Sequence, residues 1–171
     1  MQLEELVETY TTYLLKLSYL YVKDAQIAED IVQEVFLKLH RIGCAHIEPN
    51  KAKSYIVQMT VNRCKDYLKS WHYKKMTVKH YFQDNGYERS DEVVQQEERS
   101  IIGAAVLQLP IKYREVIILH YFDEQTTAMI SETLRIPIGT VKTRLIKARA
   151  LLKPLLNDEY WEVLQHETRA R

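Results

Sequence analysis

The sequence predicts an all-α protein: two small helical domains joined by a polar linker, the C-terminal one a helix-turn-helix. Three features carry that prediction. Among 171 residues there are only 4 Gly and 4 Pro, too little punctuation for a turn-rich β architecture. Apolar residues recur at steps of three and four on either side of residues 83–99, the period of helices that bury one face. Near the C-terminus two such stretches are separated by the short break Arg135-Ile136-Pro137, which is helix-turn-helix spacing.

Local signals justify each element in order. Leu3, Leu6, Val7, Tyr10, Tyr13, Leu14, Leu17, Leu20 and Tyr21 form the apolar face of a first helix. Asp24 is the expected N-cap of a second, whose stripe is Ala28, Ile31, Val32, Val35, Leu39 and Ile42 and which Gly43 ends. Pro49-Asn50 opens a third, long helix with a predicted buried stripe of Ala52, Tyr55, Ile56, Met59, Cys64, Tyr67, Leu68 and Trp71. Residues 83–99 hold few large apolar side chains and are expected to be a tether. A fourth helix runs through Ile101, Ala105 and Leu109. Pro110 is expected as first residue of the next, which reaches about Tyr121, because that position needs no N–H. A shorter helix covers about residues 126–134, and a last one runs from Gly139 to about Leu156. The expected domains are therefore 1–82 and 100–171, with 83–99 between them.

Charge excludes some functions and hides others. Lys and Arg total 24 against 23 Asp and Glu, a formal charge of +1, which rules out a uniformly basic coat or an acidic solvating tail. That near-neutrality is a cancellation. Residues 62–82 and 139–157 each carry a net +5, whereas 1–40 and 83–100 each carry −4. Gly43, Gly86, Gly103 and Gly139 stand too far apart for a phosphate-cradling loop. The acidic start and the lack of any apolar run near ~18 residues predict a cytoplasmic location without a signal peptide or membrane span. Cys44 and Cys64, the only cysteines, are expected as reduced thiols there. His40, Cys44, His46, Cys64 and His72 lack the paired spacing of a metal site, and no nucleophile–base arrangement is legible. No catalytic residue, metal, cofactor or small-molecule substrate is expected.

The last helix carries the most specific signal. Val141, Leu145, Ala148 and Leu152 form one buried stripe, flanked by Thr140, Arg144 and Lys147 on one shoulder and Lys142, Arg149 and Lys153 on the other. A helix fixed by one face, with cations on both shoulders, suits a DNA major groove: one shoulder reaches base edges while the other neutralises phosphate. Gly139 lets backbone N–H groups at the helix start approach a phosphate.

The third helix and its exit form the second basic segment, in which Arg63, Lys65 and Lys69 lie among Tyr67, Trp71, Tyr73, Tyr81 and Phe82. Gln58, Asn62, Lys65 and Lys69 form a polar ridge opposite the core stripe. Cations along a backbone, with aromatics for stacking, are the ingredients of single-strand binding, although Tyr67 and Trp71 also fit a core. The second helix differs: Glu29, Asp30, Gln33, Glu34 and Lys38 surround Phe36, expected as an exposed aromatic on a protein-docking face. On residues alone, a two-domain regulator that binds duplex DNA without a further protein remains an open alternative.

Taken together, AEDIVQEVFLKL, KSYIVQMTVNRCKDYLKSW, LQLPIKYREVIILHYF and LRIPIGTVKTRLIKAR resemble, in order, the segments of a bacterial RNA polymerase sigma factor of the extracytoplasmic-function (ECF) group. The resemblance runs from about Val7 to Leu156. It implies an alternative sigma factor that binds core RNA polymerase and directs transcription initiation from promoter DNA. Asp30, Gln33, Glu34, Phe36 and Lys38 would contact polymerase. Asn62, Arg63, Lys65, Asp66, Lys69 and Trp71 would contact the −10 element, and Thr140, Lys142, Thr143, Arg144, Lys147 and Arg149 the −35 element. An anti-sigma factor is the implied regulator. The chain departs from the family pattern at Tyr55, where Trp is usual, and at Met129-Ile130-Ser131, where Glu-Ile-Ala is usual. Arg135 replaces the Gly of the turn, and Lys147 an Arg.

Overall fold

The computed structural model describes residues 2–44, 47–70 and 101–162. The expected linker 83–99, Trp71, Tyr73, Tyr81, Phe82, His46, His72 and the tail beyond residue 162 lie outside the described residues. Every regular element among those described is helical. The chain divides into two compact units at Gln95/Gln96, and each is described by itself.

In the N-terminal unit, α1 (Leu3–Val22), α2 (Ala25–Ile42) and α3 (Ala52–Lys69) pack pairwise around one core. Asp24 caps α2 as expected, its carboxylate accepting from the Ile27 N–H at 2.9 Å, and Gly43 ends it at φ +75°. Leu14, Leu17, Tyr21, Ile31, Val35, Leu39, Ile56 and Val61 fill the centre. Each such side chain contributes on the order of 1.5–3 kcal/mol by leaving water.

Three expectations are corrected here. Ile42 is exposed rather than on the buried stripe, because Leu39 is the last core-facing position before the chain turns away at Gly43. Pro49–Lys51 forms a separate 3-10 turn closed by the Lys51 N–H to the Glu48 carbonyl, and α3 begins after it. The buried face of α3 is also wider and rotated, comprising Ala52, Ile56, Val57, Thr60, Val61 and Cys64. Wedged against both α1 and α2, α3 buries two adjacent rows. Tyr55 is 36% exposed, and Met59, Tyr67 and Leu68 are half-buried. Thr60 is accommodated because its hydroxyl donates to the Ile56 carbonyl at 2.9 Å.

The C-terminal unit comprises α4 (Ile101–Gln108), α5 (Ile111–Ile117), a π-helical turn (Ile118–Phe122), α6 (Thr127–Leu134) and α7 (Ile138–Leu152), followed by a 3-10 turn (Lys153–Leu155). Pro110 is the N-cap of α5 rather than its first residue: its backbone is extended, and its carbonyl accepts from the N–H groups of Tyr113 and Arg114. The expected helix to Tyr121 loses α geometry at Ile118, where the Asp123 N–H reaches back five residues to the Ile118 carbonyl. The α ladder of α7 stops before Pro154, which has no N–H to continue it, so Leu156 lies beyond the helix.

A buried polar chain fixes the start of the helix-turn-helix. The Gln125 side chain donates to Asp123 at 2.8 Å and accepts from the Thr133 hydroxyl at 3.0 Å. Thr126 caps α6, accepting from the Met129 N–H at 3.2 Å. The turn then keeps left-handed geometry at a non-glycine residue, with Arg135 at φ 55° and ψ 47°. The Ile136 N–H reaches the Ser131 carbonyl at 3.1 Å, and the Ser131 hydroxyl donates to the Ile136 carbonyl at 2.6 Å. Ser131, a departure from the family pattern, thus fastens the turn that Arg135 strains.

Candidate nucleic-acid and partner-docking surfaces

On α2, Asp30, Gln33, Glu34 and Lys38 form one exposed ridge, as their spacing of three and four requires. Two corrections apply. Phe36 is half-buried rather than exposed, lying between this ridge and the core row of Val32, Val35 and Leu39. The large apolar side chain standing in solvent among the polar residues is Leu37, 55% exposed. Its position at i+3 from Glu34 and i+4 from Gln33 was the available signal.

On α3, Asn62, Lys65, Asp66 and Lys69 share a second partly exposed face. Tyr55 falls on the same face at helical spacing, which places an aromatic near one end of the row. Asn62 accepts from the Gln58 amide at 3.4 Å. Arg63 is turned toward α2, where Nε and Nη2 donate to the two carboxylate oxygens of Glu34, the second bond being 2.9 Å. This hydrogen bond holds the Glu34 carboxyl below its ordinary value and raises the Arg63 guanidinium. The structure thereby joins two residues that sequence reasoning assigned to different partners.

In the second unit, Val141, Leu145, Ala148 and Leu152 are all buried, as predicted, and they fix the rotation of α7. The six candidates on that helix are not equivalent. Lys142 and Lys147 are exposed, and Thr140 is half-buried. The Thr143 hydroxyl donates to the Gly139 carbonyl at 2.9 Å. Arg144 pairs with the buried carboxylate of Glu115 on α5 at 2.7 Å. Arg149 Nε donates to the Tyr121 hydroxyl at 2.8 Å, with the guanidinium 5.8 Å from that ring's centre. Two of the arginines therefore lock α7 to the elements beneath it.

A cleft of about 530 Å³ opens between α5 and α7. Thr140, Thr143, Arg144 and Lys147 line one side, and Lys112 and Tyr113 the other. Sequence reasoning missed Lys112 and Tyr113, since nothing local marks them as neighbours of a helix some 30 residues on.

Among the described residues, no group of three His, Cys, Asp or Glu side chains is placed to hold a metal ion. Cys44 and Cys64 are buried and unbridged, and burial pushes the Cys64 thiol up to about 12. No helix among the described residues is long and apolar enough to cross a membrane.

Comparison with known proteins gives concordant results. The family model for Sigma-70 region 2 matches residues 6–72, and that for Sigma-70, region 4 matches residues 99–152. The ECF RNA polymerase sigma factor SigW of Bacillus subtilis is 30% identical over 166 residues, covering 90% of this chain and 88% of that one. SigM of the same organism is 26% identical over 159 residues, covering 92% and 96%. Among solved structures, the sigma factor RpoE of Bartonella quintana, crystallised with the anti-sigma factor NepR, aligns with a TM-score of 0.69 at 17% identity, covering 89% of this chain and 94% of that one. CnrH, in complex with the cytosolic domain of CnrY, aligns with a TM-score of 0.58, covering 90% and 86%.

Proposed function

The chain belongs to the ECF group of RNA polymerase sigma factors, and from that premise we propose how its residues divide the work of an alternative sigma factor. The chain binds core RNA polymerase and directs promoter-specific initiation. It performs no chemistry of its own and acts in the cytoplasm, where the polymerase is.

Residues 1–82 form the polymerase-docking and −10 unit. The exposed ridge of Asp30, Gln33, Glu34 and Lys38, with Leu37 in its midst and Phe36 on its shoulder, docks on the polymerase. Asn62, Arg63, Lys65, Asp66, Lys69 and Trp71 engage the −10 strand, where capturing an unstacked base costs a few kcal/mol. Residues 100–171 form the −35 unit. Thr140, Lys142, Thr143 and Lys147 face the groove, while Arg144 and Arg149 hold the reading helix in position. Residues 83–99 tether the units, so each contact raises the effective concentration of the other. An anti-sigma factor that covers these surfaces is the proposed regulator, in keeping with the complex of the sigma factor RpoE with the anti-sigma factor NepR.

The observation that carries this reading is the placement of α7: four buried side chains anchor it, and Lys142 and Lys147 stand exposed on its outer surface. The alternative, a regulator that needs no polymerase, is separated by a change on α2. Leu37→Asp alters an exposed side chain and should abolish association with core polymerase in a pull-down while leaving the thermal melt unchanged. Unimpaired association would remove α2 as the docking surface, and unimpaired promoter occupancy without polymerase would favour the alternative.

A further inference from the structure

We propose that the cleft between α5 and α7 grips the phosphodiester backbone of the promoter duplex, with Lys112 as a backbone contact outside the reading helix and Tyr113 as the residue that positions it. The proposal rests on the reading that α7 enters a DNA groove, and it adds a second element to that interface.

The charge in the cleft comes from particular residues. Arg144 lines it, but Glu115 on α5 occupies its Nη1 at 2.7 Å, so this cation is largely neutralised within the fold. Lys147 on one wall and Lys112 on the other are both exposed. They supply the remaining positive charge from two different helices, an arrangement that suits a ligand whose charges lie in a row. A duplex backbone has that form, carrying one charge per ~1.7 Å of helix axis over both strands.

The rest of the cleft fits the same ligand. Lys112 Nζ lies 5.0 Å from the centre of the half-buried Tyr113 ring, a cation–π contact that restrains an otherwise mobile side chain. A β-carbon placed on Gly139 would meet nothing within 4 Å, so the wall there is open to a bulky chain. Thr143 already donates its hydroxyl proton to Gly139, whereas the two lysines and the hydroxyls of Thr140 and Tyr113 line the cleft as donors to phosphate oxygen. A phosphate contact orients the protein and carries no sequence information. Lys112 therefore sets how firmly, and at what angle, α7 is seated, and it does not set which bases are preferred.

The test measures promoter binding by holoenzyme reconstituted with Lys112→Gln, Lys112→Arg and wild-type chains, over a salt series and on promoters with an intact −35 element or one carrying a single base-pair change that weakens binding without abolishing it. Losing one phosphate contact lowers the steepness of log affinity against log salt by about 0.9. The advantage of wild type over Lys112→Gln should therefore shrink by about 3.5-fold between 50 and 200 mM salt. The loss should be equal on both promoters, and Lys112→Arg should restore the wild-type slope. A Lys112→Gln holoenzyme with the wild-type slope overturns the proposal. A loss confined to the intact −35 element also overturns it, because that marks base readout. If wild-type holoenzyme forms no promoter complex, the sigma assignment of these surfaces fails instead, so the two failures are distinguishable.

Discussion

Arg63 on α3 grips Glu34 on α2 with two parallel hydrogen bonds, joining the face proposed for −10 DNA to the ridge proposed for polymerase. Both side chains remain 39–50% exposed. As a stabilising contact the pair is modest, about 0.2–1 kcal/mol, because water screens it. Its functional consequence is larger, since neither residue can serve an outside partner fully while it holds the other.

A Glu34→Gln chain should accordingly release Arg63. Affinity of the free chain for a single-stranded oligonucleotide should rise about two- to fivefold, the equivalent of about 0.4–1 kcal/mol, as read by fluorescence anisotropy. The same substitution should weaken core polymerase binding. Unchanged oligonucleotide affinity would show that the pair does not compete with DNA.

The pair also has a defined pH window. The Glu34 pKa is held below its ordinary value of 4.5 by the Arg63 hydrogen bond. The contribution is therefore complete above about pH 4.5 and is lost as pH falls through the lowered value. A double-mutant cycle with Glu34→Gln and Arg63→Gln, followed by urea unfolding, should give a constant coupling from pH 6 to 8. That coupling should vanish toward pH 2.

The turn of the helix-turn-helix offers a second pair of opposed effects. Arg135 sits at φ 55°, a conformation that costs a β-carbon-bearing residue about 1 kcal/mol, so Arg135→Gly should stabilise the C-terminal unit by about that amount. Ser131→Ala removes the hydroxyl that donates to the Ile136 carbonyl and should destabilise it by about 0.5–1.5 kcal/mol. Thermal unfolding of the intact chain measures both, and equal melting temperatures for the two variants would refute this account of the turn.

Arg144 and Lys147 should separate stability from recognition. Arg144→Ala removes a charge-assisted hydrogen bond from the buried Glu115 carboxylate and should cost about 1–3 kcal/mol of folding stability. Lys147→Ala, at an exposed position, should leave stability within about 0.5 kcal/mol of wild type while weakening promoter binding. Denaturant unfolding alongside promoter affinity checks the split.

Cys64 should be chemically silent in the folded chain. Its thiol is fully buried and pushed up to about 12, and the thiolate is the reactive form. A thiol reagent should modify Cys64 only as fast as the unit unfolds, so rapid labelling at neutral pH would contradict the packing of α3.

These contrasts mark where the sequence is legible. Asp24 and Gly43 act on their own neighbours, so their roles at the two ends of α2 follow from residue type and spacing alone. The stripe on α7 is equally local, because the helix buries a single row. On α3 the same reasoning selected Tyr55 and passed over Val57, Thr60 and Val61, since a helix wedged between two others buries a wider face than one stripe. The candidate cations were identified by chemistry, but their partners were not. Glu34 and Arg63, Glu115 and Arg144, and Tyr121 and Arg149 are 29, 29 and 28 residues apart. No local period reports which arginine faces outward and which ties two helices together. The cleft that adds Lys112 and Tyr113 to the interface was hidden for the same reason.

The central claim is that neither unit holds promoter DNA alone and that polymerase unites their contacts. The most direct test compares promoter affinity of the free chain with that of the chain bound to core polymerase, on the same fragment and at the same salt concentration. The account predicts weak, sequence-indifferent binding by the free chain and tight binding by the holoenzyme that depends on both the −35 and −10 elements. Tight, sequence-specific binding by the isolated chain, unchanged when polymerase is added, would contradict it.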